Sequence, residues 1–216
     1  MNYLLFLLSG TLSAWGLPLQ GNTRKTDDHP TKSGVSGLIA ASLGVSREMV
    51  KELTQIAQLG FACREDNPGT ILKDFHIVRV GPGIVSNRFY LVNAIFTVCI
   101  WENENCPYTL KKIMEALNRP IYTPFLGRKC CSYDIPPDPK IVKAESLSEA
   151  FEQYSLPEFL NGSLKGREKN RIFWEGTDTS IKIVKSNQRF DQVTGPKQYR
   201  SRIEYMGWKE VSNVSE

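Results

Sequence analysis

Six consecutive apolar residues, Tyr3-Leu-Leu-Phe-Leu-Leu8, open the chain and stop at Ser9-Gly10. An unbroken run of that kind predicts a central strand over 2–8, buried on both faces. A loop of about 24 residues is expected next, and loops that long inside a compact domain are usually functional or disordered. It holds Trp15, Pro18, Gly21 and the charged stretch Arg24-Lys25-Thr26-Asp27-Asp28-His29-Pro30. Small and apolar residues from Gly34 to Leu43, opened by Lys32 or Ser33 and closed by Gly44, predict a helix. Ser46 is the expected cap of a second helix, with Met49, Val50, Leu53, Ile56 and Ala57 at helical spacing and Gly60 as its stop. Extended chain is expected over 61–65 and 71–80, around an Asp66-Asn-Pro-Gly69 turn. A tight reversal at Gly81-Pro-Gly83 leads into one long strand over 88–101, rich in β-branched and aromatic residues. A helix over 109–118 presents Leu110, Ile113, Met114 and Leu117 on one face, and a strand is expected near 140–144. Ser146 and Glu149 form a capping box for a short helix over 147–154. Extended segments near 171–175, 180–186 and 199–206 complete the chain.

The order β-α-β-β-α-β over 1–145 predicts an α+β class with a ferredoxin-like, RRM-like arrangement. A helix and a basic, β-rich region over 146–216 extend it. RRM folds bind single-stranded RNA on sheet and loops, but fold alone does not fix function.

The N-terminal run also imitates the apolar part of a secretory leader. No Lys or Arg precedes it, and it is too short to span a bilayer, so a retained strand in a soluble, cytoplasmic protein is expected. The five cysteines, Cys63, Cys99, Cys106, Cys130 and Cys131, contain no CxxC pair. Free thiols and no zinc are the simplest expectation.

Charge adds a direction. The net charge of +4 is mild, but it is uneven. Residues 162–202 hold ten Lys/Arg against four Asp/Glu, 119–143 hold five against two, and 144–161 hold none against four. Two basic blocks in the C-terminal half suit a polyanionic partner, and a solvated face is the plain alternative.

Catalytic signatures are missing. No GxSxG, Walker A, HExxH or dinucleotide fingerprint is present, and no carboxylate cluster suggests a two-metal site. The two histidines, His29 and His76, are far apart in sequence, which points to structural or RNA-contacting roles rather than catalysis. Neither a cofactor nor a metal is implied. What remains is binding chemistry: Arg24, Lys25, Lys32, Arg128 and Lys129 stand in loops beside Gly, Ser and Thr, where phosphates are commonly held. Trp15 and Phe125 read as core anchors, whereas Phe75 and Tyr122 could equally stack on bases.

Leu8-Ser-Gly-Thr-Leu-Ser-Ala-Trp-Gly16, Thr23-Arg-Lys-Thr26, Pro30-Thr-Lys-Ser-Gly34, Asp74-Phe-His76, Arg88-Phe-Tyr-Leu91 and Tyr122-Thr-Pro-Phe-Leu-Gly-Arg-Lys-Cys130 fall in one order. In that order the chain resembles the CRISPR-associated Cas-five family of RAMP proteins, in its type I-E Cascade branch, over residues 3–131. The resemblance implies a non-catalytic crRNA-binding subunit in antiviral defence. Such a subunit holds the 5′ handle of the crRNA, caps the filament of backbone RAMP subunits, contacts the Cascade large subunit, and meets target DNA indirectly. It places Thr26, Ser33, His76 and Arg88 with Arg24, Lys25, Lys32, Tyr122, Arg128 and Lys129 among the RNA-binding residues. It also makes the hairpin at about 77–87, with Arg79, Gly81 and Gly83, a short thumb. The sequence departs from the family at Lys25, where proline is usual, and at Asn93, where aspartate is common. A type I-C relative uses its Cas-five protein as a metal-independent endoribonuclease on pre-crRNA. Here Cys130, not His, follows Lys129, so that activity is the alternative reading.

Overall fold

In a computed structural model of the chain, residues 1–17, 22–78, 84–103, 105–160, 168–195 and 198–210 are described. The protein is a mixed α and β structure dominated by sheet. Its largest element is a seven-stranded sheet in the order β10-β1-β9-β6-β11-β13-β12. The strands are β1 (Asn2–Ser9), β6 (Gly60–Asn67), β9 (Ile95–Trp101), β10 (Lys140–Lys143), β11 (Lys169–Trp174), β12 (Ile183–Gly195) and β13 (Gln198–Glu210). Every neighbouring pair in this sheet is antiparallel.

β1 explains its own composition. Leu4, Phe6 and Leu8 face a core shared with α1 (Lys32–Ser42) and α3 (Leu110–Asn118). Tyr3 and Leu5 face a second core with Phe151, Trp174 and α4 (Leu147–Glu152). Both faces of the strand are covered, so no polar alternation survives. A Leu5→Asp change would put an unpaired carboxylate among Ala62, Cys99, Ala150 and Trp174, at a cost of at least several kcal/mol. The variant is expected to be insoluble on expression, and a soluble, folded Leu5→Asp protein would count against this packing.

Several expected boundaries move for identifiable reasons. α1 opens at Lys32 as expected, and Thr31 caps it, its hydroxyl accepting from the Gly34 amide at 3.2 Å. The second helix, α2 (Val50–Ile56), starts after Met49 with no side-chain cap, so Ser46 does not serve. At α4, Ser146 accepts from the Glu149 amide as expected, but the Glu149 carboxylate reaches back to the Glu145 amide instead of Ser146. The single strand expected over 88–101 is two strands. Asn93 adopts φ 55°, a left-handed turn that Asn tolerates, and the chain passes there from one sheet to another. Gly69 fits against that turn: a Cβ on it would lie 2.4 Å from the Val92 carbonyl.

The second sheet is built on β8 (Ile84–Val92). β7 (Thr70–Val78) pairs with it antiparallel along one edge, from Thr70–Val92 to Val78–Ile84. The other edge carries β2 (Leu12–Ser13), antiparallel, and β4 (Thr23–Arg24), parallel. A small ribbon pairs β3 (Trp15–Gly16) with β5 (Thr26–Asp27). The hairpin expected at 77–87 with short arms therefore has nine-residue arms. Its tip, with Arg79, Gly81 and Gly83, lies outside the described residues.

An ionic network ties the N-terminal loop to the C-terminal strands. His29 is buried, stacks on Phe173 with ring centroids 3.7 Å apart, and contacts Asp28 at 2.6 Å and Glu204 at 3.1 Å. Arg189 pairs with Asp27 and Glu204, and Arg171 with Glu65 and Asp28. Lys32 reaches Glu175 at 2.5 Å, and Arg202 grips Asp191 through two bonds of 2.7 and 2.9 Å. Burial alone would push the His29 imidazole down, but its bonds to Asp28 and Glu204 outweigh this and hold it up at about 9. Burial would raise Glu204, yet His29, Arg202 and Arg189 bring it down to about 2.

The signs set a pH window. The His29 contribution is complete below its ordinary 6.5 and is lost as pH rises through about 9. The Glu204 contribution is complete above its ordinary 4.5 and is lost as pH falls through about 2. Thermal stability is expected to be greatest between the two ordinary values and to decline from neutral toward pH 9. A His29→Gln protein should be less stable and lack the alkaline decline; the same decline in wild type and variant would show that His29 does not titrate as described.

Candidate nucleic-acid interface

Two of the stretches that carry the resemblance, 8–16 and 122–130, pack on each other. Gly127 has φ 87°, and a Cβ there would lie 1.8 Å from the Ala14 carbonyl. No other residue fits at that approach. The Ala14 amide donates to the Leu126 carbonyl at 3.0 Å, and a Cβ on Gly10 would strike the Ser132 carbonyl at 2.5 Å. The turn itself is closed by the Leu126 amide on the Cys131 carbonyl at 2.7 Å and the Cys131 amide on the Arg128 carbonyl at 2.8 Å.

From that turn Arg128 reaches across the second sheet. Its guanidinium donates to the Phe89 carbonyl at 3.2 Å and the Arg24 carbonyl at 3.0 Å, and lies over the Tyr90 ring, 4.6 Å from the centroid. Direct strand partners share a face. Arg24 is the partner of Arg88, and Arg88 is also the partner of Asp74. Arg24, Arg88, Tyr90, Asp74 and His76 thus line one face, and Arg128 lies over it. Among the described residues Arg88 Nε is buried without a hydrogen-bond partner. Lys25 and Lys129 are exposed at the rim.

The opposite face of the hairpin is largely apolar, interrupted by Lys73 and Asn87. Ile71, Phe75, Ile77 and Val85 are all exposed there, by 68, 60, 58 and 41% respectively. Phe75, which could have been core or a stacking platform, is thus on the open side, and Trp15 is core as its setting implied.

Other expected site residues go elsewhere. Lys32, expected in an open loop, is buried on the Glu175 carboxylate. Thr26 spends its hydroxyl internally, accepting from the Trp15 amide and donating to the Asp27 carbonyl, both at 2.9 Å. Ser33 is half-buried beside Thr31. Tyr122 is half-exposed at the far end of the loop, its amide pinned to the Ala41 carbonyl at the C-terminus of α1. His76 pairs with Asp74 on the hairpin, away from His29 in the buried network. The C-terminal basic block is also partly internal, because Arg171, Arg189 and Arg202 are taken up by carboxylates. Among the described residues Asp27, Asp28 and His29 stand close enough to hold a metal ion, but Arg189 and Arg171 already engage their carboxylates.

A family model described as CRISPR-associated protein (Cas_Cas5) matches residues 3–209. The chain belongs to this family. It is 33% identical over 149 residues to the CRISPR system Cascade subunit CasD of Escherichia coli (strain K12), a match covering 60% of this chain and 66% of that protein. The match therefore spans just under two thirds of the relative's length. Among solved structures, the fold resembles a crystal structure of a Cas protein at 27% identity and TM-score 0.68, covering 96% of this chain and 94% of that one. It also resembles a chain of a CRISPR RNA-guided surveillance complex at TM-score 0.69 and 24% identity, covering 97% and 90% of the two chains, a likeness of fold alone.

Proposed function

We propose that this protein is the crRNA-binding subunit of a type I-E Cascade complex and that it does no chemistry on RNA. It holds the 5′ handle of the crRNA, caps the filament of backbone RAMP subunits and contacts the large subunit. One observation carries the reading: Arg24, Arg88 and Arg128 converge on one face of β8, with Lys25 and Lys129 at its rim. Three guanidiniums along one strand, with Arg128 fixed by two backbone carbonyls, suit a phosphate chain rather than a single small anion. The sheet order β10-β1-β9-β6, all antiparallel, supports a ferredoxin-like body over 1–145, with 146–216 as an extension of the same sheet. The hairpin is then the thumb. Nine residues per arm give roughly 30 Å of reach at ~3.3 Å per residue. Its basic base meets RNA, and its apolar face meets the adjacent backbone subunit.

The His76–Asp74 pair favours a second reading, a metal-independent endoribonuclease, because a carboxylate can orient a histidine for proton transfer. Labelled repeat RNA incubated with the purified chain, in EDTA and in Mg²⁺, separates the two. Retention without cleavage is expected. Specific cleavage abolished by His76→Ala would replace the scaffold reading with the enzymatic one.

A further inference from the structure

The RNA-facing turn ends in two adjacent cysteines, Cys130 at the surface and Cys131 in the core, and the proposed grip on RNA uses neither thiol. Cys130 is exposed and Cys131 is fully buried beneath it, with their sulfurs 3.9 Å apart. The Cys130 thiol also lies 3.7 Å from the hydroxyl of Tyr90, the ring on which Arg128 rests. We propose that Cys130 and Cys131 close to a vicinal disulfide, with a low-molecular-weight disulfide as oxidant, and that closure weakens the hold of this turn on RNA. The second half rests on the reading of the loop as an RNA contact.

The chemistry balances in two exchanges. The Cys130 thiolate attacks one sulfur of the oxidant RSSR, forming Cys130–S–SR and releasing one RSH after protonation. Cys131 then loses its proton and attacks the Cys130 sulfur, forming the intramolecular bond and releasing the second RSH. The two cysteines are oxidised and the oxidant is reduced to two thiols. Access follows the same order. Burial and the neighbouring Cys130 push the Cys131 thiol up to about 12, so solvent reagents enter through Cys130. The buried Cys63 and Cys99 are closed to them.

Closure must change the turn. Adjacent α-carbons across a trans peptide are ~3.8 Å apart, below the ~4.4–6.8 Å that a disulfide ordinarily spans. The sulfurs can meet only by twisting the 130–131 peptide. Both backbone groups of Cys131 are committed, one to the Arg128 carbonyl and one to the Leu126 amide. The twist therefore displaces Arg128, and with it the bridge from Phe89 to Arg24. A strained, exposed disulfide is also readily reduced, which makes the change reversible.

The full-length chain, reduced and freed of reductant, is incubated with oxidised glutathione, alkylated and weighed. The peptide spanning Cys130 and Cys131 should lose two hydrogens and escape alkylation, and dithiothreitol should reverse this. The affinity for repeat-derived RNA should fall by at least about fivefold on oxidation and return on reduction, a usual size for coupling between sites. A Cys130→Ser chain should lose no hydrogens and keep its affinity in oxidant. A persistent glutathione adduct on Cys130, or two intact thiols, overturns the disulfide. Closure without a change in affinity overturns the coupling. A reduced chain that binds no RNA sinks the RNA reading and the coupling with it, while the mass of the peptide still decides the disulfide.

Discussion

Replacing Arg202 with Ala should cost about 3–5 kcal/mol of folding stability, a large part of the ~5–15 kcal/mol that holds a domain together. The residue is 8% exposed and its guanidinium sits over the Phe61 ring. It grips Asp191 with two hydrogen bonds and Glu204 with a third, at 2.8 Å. Glu175 lies 3.7 Å from its Nε. Truncation would leave buried carboxylates facing one another with one cation fewer among them, and that uncompensated charge dominates over lost packing. Asp191 also accepts the backbone amide of Lys32 at 2.8 Å, so the first turn of α1 loosens with it. Urea denaturation followed by circular dichroism measures the loss. Arg202→Met with Asp191→Leu together should cost less than Arg202→Ala alone, because the pair is removed rather than broken. A single Arg202→Ala change costing under about 1 kcal/mol would show that water or rearranged cations compensate the carboxylates, and the network would not be holding the two halves together.

The network shows what the sequence did and did not disclose. β1 was legible because burial on both faces leaves a continuous apolar run, and α3 because its apolar residues recur on one face. The stretches 8–16 and 122–130 were legible as carriers of the family resemblance, and their contact through Gly127 and Ala14 follows from a geometry that only glycine permits. The Asp27-Asp28-His29 segment was not. Charged residues in a loop ordinarily mean solvent, and nothing local tells that Arg171, Arg189 and Glu204 come to meet them from strands more than 130 residues away in sequence. One signal was available: Arg202 and Glu204 alternate with Ile203 and Tyr205 in a strand, which puts the two charges on one face. The break at Asn93 was hidden for the opposite reason. Both flanking segments have equally strong strand composition, and only the backbone turn at that residue separates two sheets. Lys32 was misplaced because a cation at a helix start looks solvated until its partner, Glu175, is known.

The other large effect is expected on RNA. Arg24→Ala combined with Lys129→Ala should weaken binding of repeat-derived RNA by roughly 10–100-fold, as expected for two charged hydrogen bonds at ~1.5–3 kcal/mol each, discounted for exposure. Both residues are exposed, so the fold should not change. Arg128 is a poorer target for this purpose: its bonds to the Phe89 and Arg24 carbonyls hold the turn together, and its removal would confuse structure with contact. Salt dependence is the sharper readout. Each phosphate neutralised on a single strand contributes about −0.7 to the slope of log K against log salt concentration. Removing two contacts should flatten that slope by ~1.4, whatever the RNA sequence. Weaker binding with an unchanged slope would mean that the two side chains shape the turn without touching phosphate. Unchanged affinity and slope would move the RNA path off this face of β8 altogether.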